Sequence, residues 1–270
     1  MINNNIKQNS NAHDKVFKVY NLKHPEIYNS VEQSRIKKII LSVVKKNKNL
    51  RVLDVGAGTG NLALKFLDLN CKVTASDVSK KSLGLLKELS NNNPNLKLAI
   101  IKNKKLPFDE NQFDIVCTYS VLHHIPDYLF TVQEMIRVCK PNGFIYIDHE
   151  CNENKWNPNK TLSEYNALTK QTNLEHLKKL LKTREIFSQD FWKSLLIMMF
   201  IYNRHKREGD VHVWKEDHVE WGKIKDLIKK NHCKIINEIN YLMYKPLRGL
   251  KLYKKYKNKC NDTKYMIIRK

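Results

Sequence analysis

Three groups of residues in this chain have the types and spacing for ligand binding or acid–base chemistry. The first is Asp54 followed by Gly56-Ala57-Gly58-Thr59-Gly60, a carboxylate beside a glycine-rich turn. Such a turn lets backbone N–H groups approach a ligand closely, because glycine takes positive φ without a Cβ clash. The second is Asp77-Val78, where a carboxylate at a strand end can accept from both hydroxyls of a ribose. The third is His123-His124, since imidazole exchanges protons near neutral pH and suits a general base, with Ser120 before them at a strand end, where open α/β sheets bind their ligands. Consecutive residues at a helix start point in different directions, so at most one of these histidines faces an acceptor. The other reading of the pair is a helix start tied up in backbone bonds. A dinucleotide fingerprint carries Gly or Ala where Asn61 stands, and a P-loop carries Gly-Lys-Ser/Thr, so neither fits.

These residues need elements to hold them. Leu50–Val55 is a short, branched apolar run that predicts a buried strand, and Asn61–Leu67 resumes with helical spacing. Cys71–Ser76 predicts a second strand ending at Asp77, and Ser79 is the predicted N-cap of a helix reaching Ser90. Leu96–Ile101 and Ile115–Tyr119 predict the third and fourth strands, with Asn103-Lys104 just past the former and Ser120 just past the latter. A helix over Tyr128–Lys140, stopped by Pro141-Asn142-Gly143, leads to a fifth strand at Phe144–Asp148. Strands alternating with helices predict a parallel sheet covered on both faces. Further on, a helix over Asp217–Lys230 precedes strands at Cys233–Tyr244 and Tyr265–Ile268.

With the motifs placed, the chain resembles the class I S-adenosylmethionine-dependent methyltransferases, and among them the quinone-biosynthesis-like (methyltransferase type 11) group. The resemblance rests on the Asp54–Gly60 turn, on Asp77, on Leu106-Pro-Phe-Asp-Glu-Asn-Gln-Phe-Asp114, and on Ser120-Val-Leu-His-His-Ile-Pro-Asp127. It implies an α/β fold: a doubly wound, seven-stranded, mostly parallel Rossmann-like sheet whose last strand enters antiparallel between its neighbours. It also implies S-adenosyl-L-methionine as cofactor. Asp54 and the loop amides would then hold the methionine end, Asp77 and Val78 the ribose, and Asn103 and Lys104 the adenine edge. Asn103 stands where the family usually has Asp; its amide oxygen can still accept from an N–H, without charge. Relatives that bind a metal do so through acids near Ser120 and His123, so no metal is expected here.

The organisation expected is an N-terminal tail and helical cap (1–48), the cofactor-binding half of the core (49–150), a helical insertion (151–213) and the rest of the core (214–270). Residues 1–11 are Asn-rich and predict disorder, with helices over Ala12–Tyr20 and Val31–Lys46. Between them Tyr20, His24 and Tyr28 either face the ligand or pin two helices to the core. In the insertion, Phe191, Trp192, Leu195, Leu196, Met199 and Phe200 share one helical face or lie next to it, which suits an acceptor lid or a core helix.

The formal charge of +22 over 270 residues admits nucleic acid or an anionic surface as partner. Lysine and asparagine are spread along the whole chain, however, which favours a solvated surface. One stretch differs. Residues 245–259 hold seven basic side chains, no acid, and Tyr253 and Tyr256. That stretch would steer an anionic or lipid-like small-molecule acceptor, or is a solvated loop. The six cysteines form no C-x-x-C pair, the N-terminus is polar, and the longest apolar run, Leu195–Tyr202, is too short to span a bilayer. A soluble, cytoplasmic enzyme acting on a small molecule is the expectation. An RNA or protein methyltransferase, or a cofactor-binding protein without turnover, is the alternative.

Overall fold

The computed structural model describes residues 2–44, 49–169, 192 and 219–270. Strand β1 (Arg51–Val55) is buried along its length after Arg51, as a branched apolar run at the centre of a sheet must be. It pairs in parallel with β2 (Lys72–Asp77) on one side and with β4 (Phe113–Tyr119) on the other. The edge strand β3 (Leu96–Ile100) extends the sheet beyond β2, and β5 (Cys139–Cys151) lies beyond β4, all parallel. Then β7 (Thr263–Arg269) enters antiparallel between β5 and β6 (Lys234–Tyr241), giving the order β3-β2-β1-β4-β5-β7-β6. This is the doubly wound, seven-stranded methyltransferase-type sheet that the motifs imply.

Helices cover both faces. Before the sheet come α1 (Ile2–Val16), α2 (Tyr20–Lys23) and α3 (Ser30–Val44). Between strands lie α4 (Ala63–Leu67), α5 (Lys80–Leu89) and α6 (Tyr128–Val138). Later come α7 (Lys160–Thr169), α8 (Trp221–Lys230) and α9 (Leu250–Tyr256). One apolar cluster joins Ile36, Ile40 and Val43 of α3 to Phe66, Leu83, Leu86 and the near face of β1 and β2. A second joins Val132, Met135 and Ile136 of α6 to Trp221, Ile224 and Ile228 of α8 on the opposite face. Strands β1 and β4 are neighbours whose connections leave to opposite faces, so the loops at their carboxyl ends diverge and open a crevice.

Two expectations are corrected. Residues 2–11 are not a loose tail, because α1 runs from Ile2 through Val16. Asn9, Ala12 and Val16 are buried along one side, a stripe that the asparagine-rich composition conceals. Polar contacts dock this helix: Asn9 Nδ2 donates to the carbonyl of His124 at 3.2 Å, and Asp14 accepts from Ser79 Oγ at 2.5 Å. The predicted helix over Tyr128–Lys140 is shorter, since α6 stops at Val138 and Cys139 already pairs with Phe113 in the β4–β5 ladder. Gly143 follows at a place where any Cβ would fall 2.8 Å from Cys139 Sγ and 2.9 Å from two carbonyl oxygens.

Much of the expected insertion (151–213) lies outside the described residues, including Phe191, Leu195, Leu196, Met199 and Phe200; Trp192 is described and exposed. No described helix is long and apolar enough to cross a membrane.

Candidate active site

The carboxyl ends of β1, β2 and β4 open into a cavity of about 1360 Å³, counting its mouth. The glycine turn forms one wall. Gly56 and Ala57 N–H groups donate to the carbonyl of Ser76 at 2.8 and 3.0 Å, which ties the turn to the end of β2. Three glycines here have positive φ, and each meets a different demand. At Gly56 (φ +71) a Cβ would fall 2.5 Å from Val121 Cγ2, and at Gly60 (φ +98) 2.3 Å from Leu86 Cδ1. At Gly58 (φ +51) a Cβ would meet nothing within 4 Å. The first and third glycines are thus required by packing, whereas the middle one fronts open space. Gly60→Ala is expected to lower stability by roughly 2 kcal/mol, seen as an earlier urea midpoint at unchanged m-value. Gly58→Ala should shift that midpoint less, since only its left-handed backbone is strained.

Asp77 closes the floor. Its carboxylate accepts from Ser79 N–H and Gly58 N–H, both at 2.8 Å, and keeps lone pairs for further donors. Burial raises its pKa, with His13 of α1 acting in the opposite sense. Asp54 does not line the cavity. It lies beneath the turn, accepts from Ala63 N–H at 3.1 Å, and is pushed up to about 7, first by burial and then by the charge of Asp77. Its place is to hold the turn against the start of α4.

Of the other residues singled out from sequence, Ala57, Thr59, Val78, Asn103, Lys104, Ser120, Tyr20 and His124 also line the cavity. Thr59 Oγ1 donates to Asn21 Oδ1 at 2.5 Å and lies 3.3 Å from the Tyr28 hydroxyl, so the cap and the turn are joined. Lys104 pairs with Asp127 at 2.5 Å across the mouth. Ser120 has φ +59, with its N–H bound to the carbonyl of Asp148 at 2.9 Å. Gly60, Asp54 and His123 stand outside the lining. His123 is the correction of consequence: its Nδ1 lies 2.8 Å from Glu150 Oε2, while Glu150 Oε1 accepts from the N–H groups of Val121 and Leu122. That buried carboxylate organises the turn after β4 and turns His123 away from the cavity, leaving His124 as the histidine of the pair that faces it.

Several lining residues carry no motif. Asn5, Asn9 and His13 lie at four-residue spacing on α1, the first two inside the stretch expected to be disordered. Asn61 is another. Its Oδ1 accepts from Gln33 Nε2 at 3.0 Å and Lys65 Nζ at 3.2 Å, while its buried Nδ2 has no hydrogen-bond partner among the described residues. Its only sequence signal is that it replaces the Gly or Ala of a dinucleotide fingerprint. A free amide donor, an open glycine backbone and a strand-end carboxylate are together the donor and acceptor set that an amino acid joined to a nucleoside requires. No group of three or more His, Cys, Asp or Glu among the described residues could hold a metal ion.

Comparison with known proteins agrees with this geometry. Residues 53–147 match the family described as a methyltransferase domain. Demethylmenaquinone methyltransferase of Staphylococcus aureus is 32% identical over 145 residues, covering 52% of this chain and 60% of that protein. The chain thus spans somewhat under two thirds of the curated relatives it matches. Among solved structures, a putative sarcosine dimethylglycine methyltransferase from Galdieria sulphuraria superposes with a TM-score of 0.53 at 14% identity, covering 88% of this chain and 85% of its own. The cyclase SpnF superposes with a TM-score of 0.57 at 14% identity, covering 95% of each chain. At such identities the likeness shows the fold, and one fold can host different chemistries. Sequence match and fold agree on one conclusion: residues 53–147 are similar to a methyltransferase domain, and the sheet has the fold of solved methyltransferase structures.

Proposed function

We propose that the protein transfers a methyl group from S-adenosylmethionine to a small, largely apolar acceptor. The observation that carries this is the cavity in which Asp77, the open backbone at Gly58 and the free amide of Asn61 meet. Asn61 suits the amino-acid end, Asp77 the ribose hydroxyls, and Val78, Ile101 and Asn103 the adenine. Bound there, the cofactor supplies an already activated methyl group, so the protein's work is to align the acceptor and exclude water. Ile6, Ile27, Val121 and Ile125 give the same cavity an apolar side, which favours an acceptor with a hydrocarbon body. A quinone-type lipid accords with the name of the Staphylococcus aureus relative.

The basic stretch joins β6 to β7 at the edge of the sheet that carries the cavity, because β6 runs parallel to β5. Its tyrosines turn inward: Tyr256 is buried and Tyr253 packs beside it with Leu162 and Tyr165. Its lysines, Lys251, Lys254, Lys255 and Lys257, form a rim that favours an anionic acceptor or the surface of an anionic membrane.

Calorimetric titration with S-adenosylhomocysteine tests the first half of the proposal, and Asp77→Ala should weaken that binding by about 100-fold. Transfer of a labelled methyl group to reduced demethylmenaquinone or to a cell extract tests the second. Absence of binding by the wild type would remove the proposal. Binding without transfer would make this a cofactor-binding protein instead.

A further inference from the structure

Behind the cavity lies a buried polar cluster that cofactor binding does not use. Tyr119, the last residue of β4, lines the cavity and is buried to 8% exposure. Its hydroxyl donates to Glu32 Oε1 at 2.8 Å and lies 2.8 Å from His149 Nδ1, and the two rings stack at 4.7 Å. His149 reaches this place through an irregularity. The β5–β7 register breaks between Ile147 and Glu150, and His149 takes φ +62. A bulge and a left-handed backbone at a non-glycine residue are strained features that persist where a side chain must be re-aimed.

The groups facing His149 and Tyr119 come from several elements: Glu32 and Arg35 of α3, Glu26 before it, Tyr146 and Asp148 of β5, and Tyr241 of β6. Arg35 binds Glu32 through both of its carboxylate oxygens, at 2.9 and 2.5 Å, and Asp148 at 2.8 Å. Both carboxylates are therefore committed to one guanidinium. Glu32 is held down to about 2, its burial being outweighed by hydrogen bonds and charge from Arg35 and His149. The group left to receive a proton is the His149 imidazole, whose Nδ1 lies 2.8 Å from the Tyr119 oxygen.

We propose that Tyr119, backed by His149, takes the proton from a phenolic or enolic hydroxyl on the methyl acceptor. The acceptor O–H bond breaks and its proton passes to the Tyr119 oxygen. The proton of Tyr119, which this structure shows donated to Glu32 Oε1, turns to an unprotonated His149 Nδ1 and is taken up there, and the electron pair stays on the acceptor. That pair is the nucleophile, at oxygen or at a conjugated carbon. Tyr119 is the residue that meets the acceptor; Glu32 and Arg35 are positioning residues that fix the tyrosine and the imidazole. This inference rests on the methyl-transfer proposal and names the acceptor class within it: a hydroxyl acidic enough to ionise, as in a hydroquinone, rather than an amine or an aliphatic alcohol.

The probe is 1,4-naphthohydroquinone under argon, added to protein saturated with S-adenosylhomocysteine, with its ionisation followed by ultraviolet difference spectra from about pH 6 to about pH 10. In the wild type the bound probe should ionise at least about one pH unit below its value in solution. Tyr119→Phe and His149→Asn, the latter a residue that tolerates positive φ, should both abolish that displacement while keeping S-adenosylhomocysteine affinity. In labelled methyl transfer the same variants should fall by about 100-fold near neutrality and recover at the pH where the hydroquinone ionises unaided. A purely structural role predicts no such recovery. Variants that ionise the probe as the wild type does overturn the relay, as does a wild type that binds S-adenosylhomocysteine but leaves the probe unshifted; the cofactor assignment survives both. A wild type that binds no S-adenosylhomocysteine removes both proposals.

Discussion

Arg35→Met should lower the melting temperature at neutral pH by on the order of 10 °C, for a loss of roughly 3–5 kcal/mol. The side chain holds Glu32 and Asp148 together and lies over the Tyr241 ring at 4.0 Å. Methionine preserves much of the packing but leaves two buried carboxylates without their cation, which is far more damaging than losing an exposed ion pair. The pH dependence follows from Glu32, whose ordinary value of 4.5 falls to about 2 in the fold. A depressed carboxyl contributes stability that is full above its ordinary value and is lost as pH falls through the folded one. The gap between wild type and variant should therefore be widest above about pH 5 and narrow towards pH 2. Urea melts at a series of pH values check this; a gap of constant width would mean that packing, not charge, is what Arg35 supplies.

Asp54→Asn should act in the opposite direction. The carboxyl of Asp54 is pushed from 3.8 up to about 7 by burial and by Asp77. Between those two values the folded chain holds a proton that the unfolded chain releases, so stability declines as pH rises from about 4 to about 7 and is level above. Asparagine keeps an oxygen for Ala63 N–H and removes the charge. The variant should match the wild type near pH 4 and exceed it by on the order of 3 kcal/mol at pH 8, in the absence of cofactor. Wild type and variant with the same slope between those limits would show that another group titrates there.

The parts of this protein that recur locally were legible in its sequence. The strand–turn–helix unit from Arg51 to Leu67, the carboxylate at the end of β2 and the Ser79 cap, which accepts from Ser82 N–H at 3.0 Å, are set by residues within a few positions of one another. What escaped is set by distant partners. Helix α1 is fixed by Asp14 on Ser79 and Asn9 on His124, contacts across 65 and 115 positions that an asparagine-rich composition does not announce. Adjacent His123 and His124 are equivalent to a motif, and Glu150 separates them by drawing one inward. The cluster of Glu32, Arg35, Tyr119 and His149 draws on three stretches of chain, and its key member is placed by a bulge that no periodicity encodes.

The acidic floor of the cavity has a kinetic consequence. Asp77 lies at its base, with Asp54 beneath the glycine turn, whereas the chain as a whole carries +22. A singly positive sulfonium approaches against a repulsive outer field and meets an attractive one only once inside. Dissolved ions damp the outer field, whose range is about 10 Å at 0.1 M salt, and reach the enclosed carboxylates far less. Capture of the proposed sulfonium donor therefore quickens as ionic strength rises. The anionic acceptor proposed above would respond to salt with the opposite sign, so the step that limits turnover would pass from one substrate to the other without any change in the protein.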